Sequence, residues 1–324
     1  MNYIENQKTD PYFNLALEEY VLKNRRDGDY LLLWRNSPVV VVGRHQNTLE
    51  EINREAVKLY GIQVVRRETG GGAVYHDLGN LNFSFITAAD HAGNLDMDRF
   101  VIPVVRSLGR LGIQAQLTGR NDLTIGEKKI SGNAQTVCRG RILHHGTLLF
   151  DADLERAQSV LTADEDKFRS RSTKSVRSRI GNLRDYLPQN ISMDIEGLKA
   201  HLLREFGAKD DVLEPEEIRQ IEELAQKKYR SPAWNYGESP EFEYENHIRF
   251  AGGTLKTGLR VEDGRITDIR FRGDFMAVRP VEEVEERLRG TWYERDCVRE
   301  VLEGVDVEAY FGTVTAKEVV RCMF

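Results

Sequence analysis

The hydrophobic pattern changes period several times along the chain, and each change marks an element. Apolar residues recur at helical spacing at Phe13, Leu17, Tyr20 and Val21, directly after Asp10-Pro11. Asp is a good N-cap and Pro suits a first helical position, so a helix opens there, with Glu18 and Glu19 expected on its outer side. Two apolar runs follow, Tyr30–Trp34 and Val39–Val42. The second, four valines between Pro38 and Gly43, has the pattern of a strand covered on both faces. A helix is predicted over Glu50–Tyr60, stopping at Gly61, then strands over Ile62–Val65 and Asn82–Thr87 and a helix over Asp98–Leu111. Beyond Gly112 the period turns to two. Gln114–Leu117, Asp122–Ile125, Lys128–Ser131, Asn133–Val137 and His145–Phe150 read as short strands, with turns at Gly126-Glu127 and Arg139-Gly140-Arg141. Strands connected so locally predict a mixed or antiparallel central sheet, not a doubly wound parallel one.

Helices are predicted over Asp194–Phe206 and Pro215–Tyr229, and the composition shifts after Ser231-Pro232-Ala233-Trp234-Asn235-Tyr236-Gly237. Strands at Phe242–Phe250, Thr254–Val261 and Arg265–Phe271, with a hairpin turn at Asp263-Gly264, precede three short helices starting near Pro280, Tyr293 and Thr315. The expectation is a larger domain over residues 1–240 and a small α+β domain over 241–324. Lys167–Arg179 carries six basic residues, and reads either as a solvated loop or as one that folds over a polyanion or meets an acidic partner.

Between two of the predicted strands runs Arg66-Arg67-Glu68-Thr69-Gly70-Gly71-Gly72-Ala73-Val74-Tyr75-His76-Asp77. Three glycines let backbone N–H groups approach a ligand closely, and two arginines precede them, so the stretch reads as an anion-binding loop or as a plain tight turn. It fits neither the P-loop pattern nor the dinucleotide fingerprint. A net charge of -6 argues against general nucleic-acid binding. The first residues lack the features of a secretory signal, and no apolar run approaches the ~20 residues of a membrane helix. Three widely spaced cysteines, Cys138, Cys297 and Cys322, fit reduced thiols in a cytoplasmic protein and no zinc site.

Three polar groupings could carry chemistry: Arg67 with the glycines and Tyr75-His76; Asn121-Asp122 with Lys128 to Ala134; and His144-His145-Gly146-Thr147. Strand alternation puts Lys129 on one face with Ser131 and Asn133, and sends one of the two adjacent histidines inward and the other out. If the lysine face meets the glycine loop, Lys129 becomes a fixed positive charge and Asp122 a candidate Mg²⁺ ligand. Cys138, beside Arg139 and Arg141, is the other reactive candidate.

Taken together, these blocks resemble the lipoate–protein ligases. Arg67 to Asn80 looks like the family's R-x-[ST]-G-G-G-A-V-[FY]-H-D-x-G-N signature. Asn121-Asp122-Leu123, Lys129-Ile130-Ser131-Gly132-Asn133-Ala134, His145-Gly146-Thr147-Leu148 and Ser175 to Leu183 are similar to its later blocks, in order. The resemblance implies an α+β fold: a catalytic domain of the biotin/lipoate ligase type, related to class II synthetase cores, with a largely antiparallel sheet flanked by helices and a carboxy-terminal accessory domain. It also implies a reaction, in which lipoate and ATP give lipoyl-AMP and pyrophosphate, and the lipoyl group passes to a lysine of a lipoyl-carrier domain. The expected carriers are those of 2-oxoacid dehydrogenase acyltransferase subunits and the glycine cleavage carrier protein. By the same resemblance Lys129 is catalytic, and Arg67, Gly71, Gly72, Ala73, Val74, Tyr75, Asn121, Asp122 and Lys129 bind ATP and the adenylate. Arg67, Gly72, His76, Lys129, His145 and Gly146 bind lipoate or octanoate, and Asp122 positions Mg²⁺. Related octanoyl and lipoyl transferases use a cysteine and no ATP, and their glycine signature reads G-G-R, where this chain has Gly72. A cysteine transferase acting through Cys138 and a non-catalytic lipoate-binding protein are the competing readings.

Overall fold

A computed structural model describes residues 1–89, 96–119, 121–161, 180–236, 244–262 and 264–324. The basic Lys167–Arg179 segment therefore lies outside the described residues, as does Asp263 of the expected hairpin turn. Eight strands form the main sheet in the order β11-β1-β2-β6-β10-β9-β8-β7. They are β1 (Asn2–Ile4), β2 (Tyr30–Trp34), β6 (Asn80–Ala88), β7 (Gln116–Thr118), β8 (Asp122–Ile125), β9 (Lys128–Cys138), β10 (Arg141–Leu149) and β11 (Lys209–Asp211). β1 runs parallel to β2 and β11, and the other pairings are antiparallel, as the locally connected strands require. A second sheet, β4-β3-β5, sets β3 (Val39–Val42) parallel to β4 (Gln63–Arg66) and antiparallel to β5 (Val74–His76).

Both faces of the main sheet are covered. Leu31, Leu33, Phe83 and Phe85 face the helices Asp98–Arg110 and Ile195–Glu205, while Leu32, Trp34, Ile86 and Leu143 face α1 (Pro11–Asn24). Asp10 caps α1 as expected, accepting from the Tyr12 N–H at 3.1 Å. The outer side foreseen for Glu18 and Glu19 does not exist: Glu18 points into the sheet at Ser84 and His145, Glu19 lies under Pro215–Leu224 and the π-turn Ala225–Tyr229 that cover α1, and both carboxylates are buried. Glu19 survives there as an anion. Burial pushes its pKa up, but Lys228 and Lys23 outweigh that and hold it at about 2, with Tyr229 donating to it.

The helix expected over Glu50–Tyr60 is two, Thr48–Glu51 and Arg54–Leu59, because Asn53 caps the second by accepting from the Ala56 N–H at 3.2 Å. The runs Lys128–Ser131 and Asn133–Val137 are one strand, β9, which Gly132 does not interrupt. The accessory sheet holds β12 (Tyr244–Phe250), β13 (Gly253–Glu262) and β14 (Arg265–Gly273), all antiparallel. Its inner face packs Leu255, Leu259, Ile269 and Phe271 against the helices Glu282–Leu288, Arg295–Glu303 and Ala316–Met323. A fourth helix in this region, Val307–Phe311, was not foreseen. Among the described residues, no helix is long and apolar enough to cross a membrane.

Candidate active site

β3 and β4 run in register from Val39 and Gln63 to Val42 and Arg66, so they end together and release two loops side by side. The glycine loop leaves β4 and is braced from inside by Arg67. That guanidinium donates to Thr69 Oγ1 (2.9 Å), Val41 O (3.2 Å), Gly70 O (2.6 Å) and Gly72 O (2.9 Å). Burial lowers its pKa to about 10, which leaves it charged at neutral pH. Arg67 is thus spent mainly on shaping the loop. Gly71 sits at φ +89°, a conformation that strains any residue with a Cβ. Arg66, expected with Arg67 to serve an anion-binding loop, instead donates to Gly43 O, Gln46 O, Thr48 Oγ1 and Trp234 O, and so ties the second loop to the Trp234 segment.

The accessory domain reaches this corner. The Gly273 N–H donates to His45 O (2.8 Å), and the His45 ring stacks on Phe275 at 5.0 Å and 12°. A Cβ on Gly70 would lie 2.4 Å from Phe275 O, so the glycine there permits direct contact between the loop and the second domain.

Behind the loop lies a narrow cleft between the two sheets of the larger domain, with apolar walls at Leu15, Trp34, Val41 and Val74. His145 and His76 line it, and so do Arg67, Gly132, Gly146 and Asn82. His145 bridges Glu18 (Nδ1 to Oε1, 2.9 Å) and Thr69 (Nε2 to Oγ1, 2.8 Å). The Glu18 carboxylate can only accept, so His145 donates to it from Nδ1, and in the neutral ring Nε2 then accepts from the Thr69 hydroxyl, whose oxygen also accepts from Arg67 Nε. Glu18 also accepts from Ser84 (2.5 Å), which accepts from Trp34 Nε1 (2.8 Å).

His76 is set by a second directed chain. Asn6 donates to Asn14 (2.6 Å), Asn14 to Asn36 Oδ1 (2.8 Å), and Asn36 Nδ2 to His76 Nδ1 (3.2 Å). That leaves the proton on His76 Nε2, which is buried without a partner. Burial, then the charge of Arg67, lowers its pKa to about 3, so the ring is neutral. His144 faces the opposite way from His145, into the other core, stacked on Phe100 at 4.9 Å and bonded to Gln135 (2.8 Å) and Asn133 (3.3 Å). Both histidines are buried, contrary to the in-and-out expectation, because the sheet has no exposed face here.

Lys129 stands at the rim. A bulge between β8 and β9 pairs Leu123 with Ser131 but Thr124 with Lys129, so Ile130 is the extra residue. The bulge moves Lys129 off the face of Ser131 and Asn133, where simple alternation placed it, onto the face of Gly132 and Asp122. Its ammonium pairs with Asp122 Oδ1 at 2.8 Å. A Cβ on Gly132 would lie 3.1 Å from that ammonium, so the glycine clears its path into the cleft. Both charges are about one-third exposed, which makes the pair weak and easily exchanged for a substrate anion. Asn121 grips the backbone of Asn133, with Nδ2 donating to Asn133 O at 2.6 Å. Ile180 and Gly181 return beside Lys129, the Gly181 N–H donating to Lys129 O at 2.9 Å. Of the remaining expected contacts, Ala73 and Tyr75 pack in the small β3–β5 core on the far side of the loop.

Cys138 lies nine residues from Lys129 at the other end of β9, about 30 Å away by strand rise, and packs against the α1 core instead of the cleft. The neighbouring Arg141 spends its guanidinium on Arg26 O, Gly28 O and Ile86 O. Missing from the sequence reading were Glu18, Thr69, Asn36 and Asn82. Asn82 had a signal: Asn80, Asn82 and Ser84 alternate with Leu81, Phe83 and Phe85 on a strand buried on both faces.

Residues 10–207 match the family described as the lipoyl protein ligase A/B catalytic domain, and residues 239–323 match the bacterial lipoate protein ligase C-terminus. The chain is 41% identical over 333 residues to lipoate-protein ligase LplJ of Bacillus subtilis, covering 100% of both. A bi-partite lipoate protein ligase from Thermoplasma acidophilum, described with its E2 lipoyl domain, is 32% identical with a TM-score of 0.64 over 75% of this chain and 98% of that one. A lipoate-protein ligase A bound with ATP is 29% identical, with a TM-score of 0.63 over 73% and 98%. The P. falciparum LipL1 structure in complex with lipoate, at 23% identity and a TM-score of 0.79 over 94% of each chain, shares the fold. Matched to the catalytic-domain family over residues 10–207 and to a lipoate-protein ligase from end to end, the chain belongs to the lipoate–protein ligase family.

Proposed function

We propose that this protein activates lipoate with ATP to lipoyl-AMP, releasing pyrophosphate, and then transfers the lipoyl group to a lysine of a lipoyl-carrier domain. The observation that carries the reading is Lys129 poised over Gly132, a residue that lines an apolar cleft together with Arg67 and Val74 from either end of the glycine loop. Carboxylate attack on an α-phosphate brings two anions together, and a fixed ammonium offsets both. In the second step the same charge polarises the acyl carbonyl. The backbone from Gly71 to Tyr75, with Asn121 and Lys129, would cradle the nucleotide, and Arg67 would act chiefly through the loop it braces. His76, His145 and Gly146, all on the cleft wall, would hold the acid. Burial of its tail contributes about 0.8 kcal/mol per CH₂.

Asp122 would hold Mg²⁺. Among the described residues no group of three or more His, Cys, Asp or Glu gathers, and a single carboxylate suits Mg²⁺, which keeps most of its water and takes phosphate oxygens. The ion when bound neutralises phosphate charge. The carriers we infer are the lipoyl domains of 2-oxoacid dehydrogenase acyltransferase subunits and the glycine cleavage carrier protein. Residues 1–240 would form the catalytic unit and 241–324 the accessory one. The six positive charges of Lys167–Arg179, which lies outside the described residues, suit contact with the adenylate or with an acidic carrier.

Lipoate-dependent ATP–pyrophosphate exchange tests the reading. Exchange that requires lipoate and Mg²⁺ supports it, and its absence in the presence of both overturns it. Cys138→Ala should leave the activity intact, given the place of that thiol far from Lys129.

A further inference from the structure

One row of side chains crosses the cleft floor from strand to strand. Trp34 on β2 pairs with Asn82 on β6, and Asn82 with Thr147 on β10. Thr147 Oγ1 accepts from the Gly132 N–H at 3.1 Å, and Gly132 pairs with Asp122. The Lys129 ammonium hangs over Gly132 at one end of the row. Two strand spacings separate Gly132 from Asn82, about 9–10 Å, which is the reach of an extended acyl chain of medium length. A carboxyl group held at Lys129 thus places its tail end between Trp34, Asn82 and His76.

That end is not purely apolar. His76, 4% exposed, lies edge-on to Trp34 at 6.3 Å and keeps Nε2–H unpaired. Asn82, 1% exposed, accepts from Asn80 Nδ2 through Oδ1 (2.9 Å) and leaves Nδ2 unpaired. Both line the cleft. Two buried donors without acceptors cost free energy that a plain hydrocarbon tail cannot recover, whereas a tail bearing weak acceptor atoms recovers part of it. The His76 donor is built in, since three asparagines in line fix which nitrogen carries the proton.

We propose that His76 Nε2–H and Asn82 Nδ2–H form a polar end-sensor that selects a sulfur-bearing dithiolane tail over a saturated hydrocarbon tail of equal length. Resting on the ligase reading for the identity of the acid, this deepens it by naming what the far end of the pocket recognises. A site built to pair with substrate atoms discriminates against an analogue lacking them, and with acceptors as weak as sulfur the factor is about tenfold.

The test uses the full chain, with lipoate and octanoate as the two probes. Calorimetric binding of each acid without ATP, and kcat/KM for adenylation with each, are compared in the native protein, Asn82→Leu and His76→Phe. Thermal melting checks that the variants fold. The native protein should favour lipoate by about tenfold, and Asn82→Leu should cut that ratio to near unity mainly by improving octanoate. His76→Phe should act in the same direction. A ratio unchanged in a folded Asn82→Leu variant overturns the proposal, as does a native ratio near unity. Failure of the ligase reading shows separately, as binding of both acids with adenylation of neither.

Discussion

The two domains use the same element, an antiparallel sheet, in opposite ways. The larger sheet is covered on both faces at its centre, so polar residues there are interior and several are oriented by hydrogen-bond chains, Arg67 to Thr69 to His145 to Glu18 on one side and Gln135 to His144 to Asn133 on the other. The accessory sheet hides one apolar face under helices and exposes the other, where Glu245, His247 and Arg249 alternate with inward residues on β12. Polar groups on an open face are held by water and cost little. Those inside a covered sheet are mostly paired, and two of the few left unpaired, His76 Nε2 and Asn82 Nδ2, belong to residues that line the cleft. The comparison explains why candidate chemistry concentrates in the first domain, while the second offers contacts such as Phe275 against Gly70.

The sharpest break should come at Lys129. Lys129→Ala removes a charge that is one-third exposed and leaves the core untouched, so melting should barely move while ATP–pyrophosphate exchange falls about 10²–10³-fold, or roughly 3–4 kcal/mol. Normal exchange would remove Lys129 from the chemistry.

Acid should separate the domains next. His45 and His76 have pKa values of about 3, and His144 is held well below its ordinary range, in each case first by burial; all three lie in the larger domain. A depressed folded value means the unfolded chain binds more protons, so stability falls as pH drops from about 6.5 toward 3, by about 1.4 kcal/mol per unit for each such histidine. A hydrogen-exchange pH series should show protection lost from β6 and β10 ahead of β13. The reverse order would break the comparison. His144→Gln should flatten the acid dependence by one proton.

A smaller effect is expected at Glu18. Glu18→Gln keeps the shape but removes the charge that His145 donates to, so lipoate KM should rise about tenfold while the melting temperature shifts little. A change in kcat alone would argue against that positioning role. Smallest of all, Arg219→Ala on an exposed helix face, where it pairs with Glu216 and Glu223, should leave the melting temperature essentially where it is. A clear drop would show that surface pairs here matter as interior ones do.

The sequence by itself determined most of the element order. Alternation and capping are local properties, so α1 after Asp10-Pro11, the Tyr30–Trp34 and Val39–Val42 strands and the glycine loop were legible. The sequence also singled out Lys129 and His145 as candidates, through motifs that keep their spacing. Tertiary structure decided where those groups point. The bulge at Ile130 turned Lys129 toward Gly132, and no period-two pattern can show an extra residue that only its partner strand defines. Glu18 read as solvated because a helix sequence does not reveal how many of its sides are covered, and packing of α1 on β6 and β10 made it the buried partner of Ser84 and His145. The unpaired donors on His76 and Asn82 were decided the same way. Burial and the absence of a partner belong to the assembled fold, where strands distant in sequence close over one cleft.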